Sequence, residues 1–460
     1  MPLITSALFL LIAAIPICFY ATRKGGSWFF LDPINSFWLL YVDFGLLQPF
    51  QNKEAWIELR GADTFEQVLA MFVMVGLAAW AGYTRPAALS AARRIPIIGK
   101  REFPPRYPLI GLACIAVGVL AYLEIIAASG GWERYISQSR TATNYQEISG
   151  YLVNLTTIIP VGLLILMGYT FSRRNALTVK VLVVASTAAY SLWCIYTGAR
   201  SGVIAMAIIV LGAVWGGKKR NPPIAVILIA AVTVVFFVGF LKRYRGELYG
   251  GSWHSDLPIT EVVRGSFDSY SDRSETGGLD VGSEFGMALA AAEIVPTSLD
   301  FDRGYMLLEI FTRGIPRAIW PDKAYPEGES WDKFHRTAGT SSWVNNAGFI
   351  SGPAPGLVGK YYYMFGWPGL LFGAAWSGFL LRLLKEYVAR YDGICFTLLA
   401  VAIANLGFSE MNNPFSWLLY WLPSTGIASG LFVFIARTKR DIMHLSTPPS
   451  HEPQTRILRS

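Results

Sequence analysis

The sequence predicts an all-α polytopic membrane protein of about eleven transmembrane helices, with one large loop on the outer face. Three observations lead there. Of 460 residues, 53% are hydrophobic and only 15% charged, against roughly 25% charged in an ordinary soluble domain. Apolar runs recur at the length of about 20 residues that a helix needs to cross a bilayer. Basic residues cluster in every second connection between those runs, as they do on the cytoplasmic side of membrane proteins.

Taken in order, the spans fall at roughly 3–22, 26–46, 64–84, 108–128, 151–171, 179–197, 201–216, 224–241, 355–381, 393–409 and 417–436. Asp32, Pro33 and Asp43 interrupt the second. The seventh is short. The ninth is long and is expected to begin as a helix lying at the membrane interface. The whole chain, 1–460, reads as a single polytopic membrane domain. It includes the large loop at about 242–354 and a basic tail at 437–460.

The basic connections set the orientation. Arg23 and Lys24 follow the first span, Arg93, Arg94, Lys100 and Arg101 the third, and Arg173 and Arg174 the fifth. Lys218, Lys219 and Arg220 follow the seventh, Arg382, Lys385 and Arg390 the ninth, and Arg437, Lys439 and Arg440 the last. This places the N-terminus outside and the C-terminus in the cytoplasm. The net charge of +8 is then accounted for by loops facing anionic lipid. Nucleic-acid binding requires a basic patch on a folded surface, which the sequence lacks. No cleavable signal peptide is expected, because the basic pair follows the first apolar run instead of preceding it.

Cys18, Cys114, Cys194 and Cys395 all lie within apolar spans and read as core residues. No Cys-x-x-Cys or His-rich spacing suggests a metal. The Asp300–Phe301–Asp302 pair lacks the further converging oxygens that a hard cation needs, so no metal and no cofactor are expected. The two aspartates read instead as caps or as partners of nearby arginines.

The large loop carries the functional signal. Its first part, about 246–280, is rich in Gly, Ser and Asp and reads as irregular. SEFGMALAAAEIV at 283–295 reads as a helix capped by Ser283, and YMLLEIFTR at 305–313 as a second helix. RGIPRAIWPDKAYP follows at 313–326, with Pro316, Pro321 and Pro326 interleaved with Arg313, Arg317, Trp320, Lys323 and Tyr325. Each proline fixes its own backbone angle and restrains its predecessor, giving a stiff cationic strap. More cations are expected at the same depth: Arg200 in the glycine-flanked turn YTGARSG, and Arg243 and Arg245 at the end of the eighth span. Arginine forks grip phosphate oxygens in pairs, so the set suggests a lipid pyrophosphate. Singly, each arginine reads equally as a snorkelling helix anchor.

A transporter would place ionisable groups at mid-depth, often in repeated halves. The spans are nearly free of charge and show no internal repeat, which favours an enzyme acting at the outer surface.

IPRAIWPDKAYP, preceded by DRGYMLLEIFTRG, resembles the signature of bacterial O-antigen and exopolysaccharide repeat-unit polymerases of the Wzy type. TGARSG resembles their turn before a span, and PGLVGKYYYMFGWPG at 355–369 their glycine-rich entry to the span after the loop. Two positions depart from the family pattern: Lys360 stands where Glu is frequent, and Ala324 where Pro is frequent. The resemblance implies a membrane-embedded glycosyltransferase of the C type in the bacterial inner membrane, with its large loop and N-terminus in the periplasm. It would transfer a growing glycan from undecaprenyl pyrophosphate to the non-reducing end of a new lipid-linked repeat unit. Its partners would be the undecaprenyl-pyrophosphate-linked oligosaccharide, the lipid bilayer, a chain-length regulator and a flippase.

On that reading Arg200, Arg313 and Arg317 stabilise the departing pyrophosphate. Arg243, Arg245, Arg303, Lys323 and Lys360 bind substrate beside Trp320, Tyr325 and Tyr361, whose rings can pack on sugars. His335 is a candidate base for the acceptor hydroxyl, though its spacing matches no strict motif and reads first as a loop histidine that only hydrogen-bonds. Two rivals stay open. An O-antigen ligase, moving finished glycan to lipid A core, shares the architecture and the arginine chemistry; the proline-rich strap favours the polymerase. A lipid-linked oligosaccharide flippase would require a charged central cavity.

Overall fold

The computed structural model describes residues 31–51, 53–97, 107–132, 158–172, 177–196, 200–215, 283–312, 319–340, 343–344, 350–351, 355–391 and 393–412, with isolated positions between them. Helices dominate. In chain order they are α1 (Pro33–Val42), α2 (Lys53–Arg60), α3 (Ala62–Tyr83), α4 (Pro86–Arg94), α5 (Tyr107–Ala128) and α6 (Ile158–Ser172). Then come α7 (Leu177–Tyr196), α8 (Arg200–Trp215), α9 (Glu284–Ile294), α10 (Pro326–Ala338), α11 (Gly356–Val388) and α12 (Gly393–Asn412). Trp343–Val344 and Ile350–Ser351 form one short antiparallel pair. Among the described residues, α3, Pro108–Ala128 within α5, and α11 are long and apolar enough to cross a membrane, as an all-α membrane protein requires. The segments expected at 3–22 and 417–436, and nearly all of 224–241, lie outside the described residues.

The interruptions noted near the second span have local causes. Asp32 is the N-cap of α1, accepting from the Ile34 N–H at 3.3 Å, and Pro33 occupies the first turn, where its missing N–H costs nothing. Asp43 opens a π-helical turn, Asp43–Leu47, before Gln48–Gln51 resumes α-geometry.

Small residues bring the helices together. A Cβ on Gly378 would fall 1.9 Å from the Ala79 carbonyl oxygen, and one on Gly82 1.9 Å from that of Ala375, so α3 and α11 meet backbone to backbone. Gly407 does the same for α12 against Pro33 at the start of α1. Helix α9 is apolar between Glu284 and Glu293, and residues Phe285 to Ala291 are all buried. The Phe285 ring meets Phe65, Phe72 and Trp56, with centroids 5.6–6.0 Å apart. Ser283 caps this helix from Oγ to the Gly286 N–H at 3.2 Å, as the sequence predicts.

Helix α11 is broken at Gly366, whose φ of 65° and ψ of −149° are open to glycine and strained for other residues. The expected interfacial start of the ninth span is therefore a separate arm, Gly356–Phe365, ahead of a shaft, Trp367–Val388. In a straight helix Tyr361 and Ser377 would stand about 24 Å apart; their hydroxyls are 3.3 Å apart. The Tyr361 ring lies on Gly373, where a Cβ would come within 2.6 Å. The arm thus folds back onto the shaft.

The far end of the shaft is fixed by charge. Lys385 forms a short ion pair with Asp32, and the Tyr83 hydroxyl donates to both Asp32 oxygens at 2.8 and 3.0 Å. Arg390 donates to the Ala92 and Ile95 carbonyls at 2.7 and 2.6 Å, closing the C-terminal end of α4.

Candidate functional site

On the folded-back arm GLVGKYYYMF, four consecutive side chains reach four different neighbours. The Lys360 ammonium donates to Glu327 Oε1 of α10 at 2.6 Å. The Tyr361 hydroxyl donates to Glu410 Oε1 of α12 at 3.3 Å. The Tyr362 hydroxyl donates to the Val295 carbonyl at 3.5 Å and accepts from Gln67 of α3 at 3.3 Å. The Tyr363 hydroxyl donates to the Ser330 carbonyl at 3.3 Å. A helix advances about 100° per residue, so adjacent side chains must face different ways; buried from Gly356 to Met364, the arm becomes a hub.

The strap 313–326 feeds directly into α10. Pro326 takes the first helical turn, which its fixed φ favours. Glu327 follows, turned inward with its side chain 9% exposed against a Lys360 side chain 3% exposed. Trp331, one turn on, donates from its indole nitrogen to the same Glu327 oxygen at 3.4 Å. The Lys360 ammonium sits 5.9 Å from the Trp331 ring centroid. Asp302 ties the preceding segment to the same helix: one carboxylate oxygen accepts from the Met306 N–H at 3.0 Å, and the other takes a short bond from Ser330. It acts as a cap. Among the described residues no group of three His, Cys, Asp or Glu side chains could hold a metal ion.

The expected site residues divide by placement. Lys323 is buried and donates to the carbonyls of Ile315 at 2.6 Å and Thr312 at 3.4 Å. It ties Thr312 and Ile315 to residue 323, and its ammonium lies 5.9 Å from the Tyr325 ring centroid. Lys360 and Tyr361 are likewise buried and engaged. Arg303 and Trp320 are exposed. The Arg303 backbone adopts φ 55°, left-handed geometry that is uncommon outside glycine, and its N–H donates to the Met364 carbonyl at 2.9 Å. Arg200 is the first residue of α8. Arg243, Arg245, Arg313 and Arg317 lie outside the described residues.

His335 lies on the inner face of α10, 1% exposed, between Phe334 and Trp331, with Nδ1 3.0 Å from Thr340 Oγ1. Burial lowers its pKa to about 4, against a smaller opposing pull from Asp332. It is a neutral ring at pH 7 and a weaker base than free imidazole. In this conformation it has no surface on which to meet a sugar hydroxyl.

Sequence reasoning passed over Glu327 and Glu410. Glu410 is 2% exposed and accepts from Ser377 Oγ at 2.5 Å as well as from Tyr361. An ionisable residue near the end of an apolar helix is a signal in itself. The partner of Glu327 lies 33 residues away and leaves no periodic trace. A further polar group gathers where the arm begins. The Gln48 amide donates to Asp43 and to Glu284 at 3.4 Å each, and its carbonyl oxygen accepts from the Phe285 N–H at 3.3 Å. Chemically, the described groups form a rigid carboxylate-rich frame, with Arg303, Trp320 and the Tyr305–Glu329 pair, 3.1 Å between oxygens, at its exposed edge.

No protein-family model, curated protein or solved structure matches the chain.

Proposed function

We propose that this protein polymerises oligosaccharide repeat units carried on undecaprenyl pyrophosphate, working at the periplasmic face of the bacterial inner membrane. The proposal includes about eleven spans, a periplasmic loop at about 242–354 and a cytoplasmic C-terminus, from the spacing of apolar and basic segments. The observation that carries it is the strap IPRAIWPDKAYP leading into a helix that is keyed to the folded-back arm of α11 through Glu327 and Lys360. A cation-rich segment that leads into a helix tied to the arm of α11 suits a substrate whose pyrophosphate sits at the bilayer surface.

In the proposed reaction an acceptor hydroxyl oxygen bonds to the anomeric carbon of the growing glycan. The bond from that carbon to the pyrophosphate breaks, the carrier leaves with the electron pair, and the hydroxyl proton is released. Arg200, Arg313 and Arg317 would offset the charge developing on the leaving group. The described lysines support the frame, while Arg303 and Trp320 stand free to meet phosphate and sugar.

The test is a gel of surface polysaccharide from a deletion strain, complemented with wild type or with Arg317→Ala. Loss of the long ladder on deletion, restored by wild type and not by a well-expressed Arg317→Ala protein, is the expected result. Long chains that still form but stay on undecaprenyl pyrophosphate would replace the polymerase reading with a ligase.

A further inference from the structure

Along one short segment of the large loop, apolar side chains point outward and the charge points inward. Tyr305–Leu308 forms a 3₁₀ turn that continues as α-helix through Glu309–Thr312. With about three residues per turn, positions 305, 308 and 311 share a side. Leu308 is 48% exposed and Phe311 75%, whereas Glu309 between them is 5% exposed. The segment carries no other charged residue. In a loop surrounded by water this reverses the usual preference for charge outside and large apolar groups inside, and it leaves an apolar patch of the kind that marks contact with a partner or a membrane.

The segment's attachment identifies what covers it. The Asp302 N–H donates to the Tyr363 carbonyl at 3.0 Å and the Arg303 N–H to that of Met364 at 2.9 Å, just ahead of the break at Gly366. Gly304 rests on the Phe365 ring, where a Cβ would lie 2.6 Å from Cζ. Past the break, the shaft of α11 exposes Trp367, Phe372 and Trp376 along a helix long and apolar enough to cross a membrane. Residues 302–304 therefore tether 305–312 beside the start of the exposed apolar surface of the shaft, and aromatic residues such as Trp367 and Tyr305 gather at the interface in membrane proteins. Arg303, exposed at the junction, has the apolar stem and cationic head that suit the headgroup layer.

We propose that Tyr305–Thr312 lies in the interfacial layer of the leaflet where the shaft of α11 begins, with Leu308 and Phe311 among the acyl chains. Thr312, whose carbonyl accepts from Lys323 at 3.4 Å, then ends a segment anchored in the membrane surface. The inference stands whether or not the protein polymerises glycans.

The test uses the full chain in nanodiscs of phosphatidylcholine and phosphatidylglycerol. Nitroxide is placed on Leu308→Cys or Phe311→Cys, and the signal of the parent protein with its native cysteines is subtracted. Phe372→Cys on the shaft serves as lipid reference and Lys333→Cys on α10 as water reference. Each variant is first shown to elute as wild type. Collision with oxygen, relative to a water-soluble nickel chelate, should match the Phe372 site at both positions and exceed the Lys333 site several-fold. Ratios equal to the Lys333 site would overturn the proposal. So would exclusion of both reagents with mutual broadening of the labels, which would place a second copy on this face instead.

Discussion

Exchanging the charges of the Lys360–Glu327 pair separates a structural role for Lys360 from direct contact with substrate. The two groups are 2.6 Å apart, with side chains 3% and 9% exposed. At an effective dielectric near 20 their attraction is about 6 kcal/mol, much of it offset by removing both ions from water. The pair as a whole contributes little, but losing one member does not. Lys360→Met leaves the Glu327 carboxylate buried without that cation and should cost about 3–5 kcal/mol. Unfolding entropy of about 2 cal/mol/K per residue over 460 residues turns this into a drop of about 3–5 °C in melting temperature, read by intrinsic fluorescence in detergent. Combining Lys360→Glu with Glu327→Lys restores opposite charges and should recover most of that loss. The polysaccharide ladder of complemented cells then decides the role. If Lys360 only holds α10 on the arm, the exchanged pair restores both melting point and ladder. If Lys360 also touches the pyrophosphate, the melting point returns and the ladder does not. A Lys360→Met protein melting within about 1 °C of wild type would refute the reasoning about the pair.

Three other outcomes follow from the packing. Gly378→Val forces α3 and α11 apart where the backbones touch; overpacking of this kind costs about 1–3 kcal/mol, and the measurement is yield of monodisperse protein after heating. Asp32→Asn removes the carboxylate that joins Lys385 to Tyr83. Because the Lys385 side chain is 19% exposed, the loss should be about 2–3 kcal/mol, below that of a fully buried pair, and limited proteolysis of the α1–α11 contact reports it. His335 makes stability depend on pH. Its folded pKa of about 4 lies below the ordinary 6.5, so on acidification the unfolded chain takes up a proton before the folded one does. Its contribution is complete above pH 6.5 and declines as pH falls towards 4. His335→Gln should flatten the melting-temperature profile across that window, and an unchanged slope would place the titration elsewhere.

Much of the candidate site was legible only as a list of residue types. The strap announces itself through its prolines and cations, and the helix at 284–294 through Ser283 and its apolar run, because caps and composition are local signals. Helix α10 is not among the helices the sequence predicts, although Pro326 marks its first turn, because the proline spacing of the strap runs on to that residue. The sequence suggested Lys323 and Lys360 as cations aimed at a phosphate. The fold turns one onto the carbonyls of its own loop and the other onto Glu327. A lysine on a loop looks the same in sequence whether it faces water or protein, since the choice depends on acceptors brought in from distant segments.

The sequence by itself determined that this chain is largely helical and suited to a membrane, and it determined within about two residues where α3, α5, α7, α8 and α9 begin and end. Those properties follow from the length and apolarity of contiguous runs, which need no long-range information. The tertiary structure decided what each polar residue does. Gly366 breaks α11, the arm folds back, and Lys360, Tyr361, Tyr362 and Tyr363 are dealt out to α10, α12, Val295 beside α9, and again α10. Burying charge and hydroxyl demands partners; in this chain those partners lie many residues away, and only a closed backbone path can bring them within bonding distance.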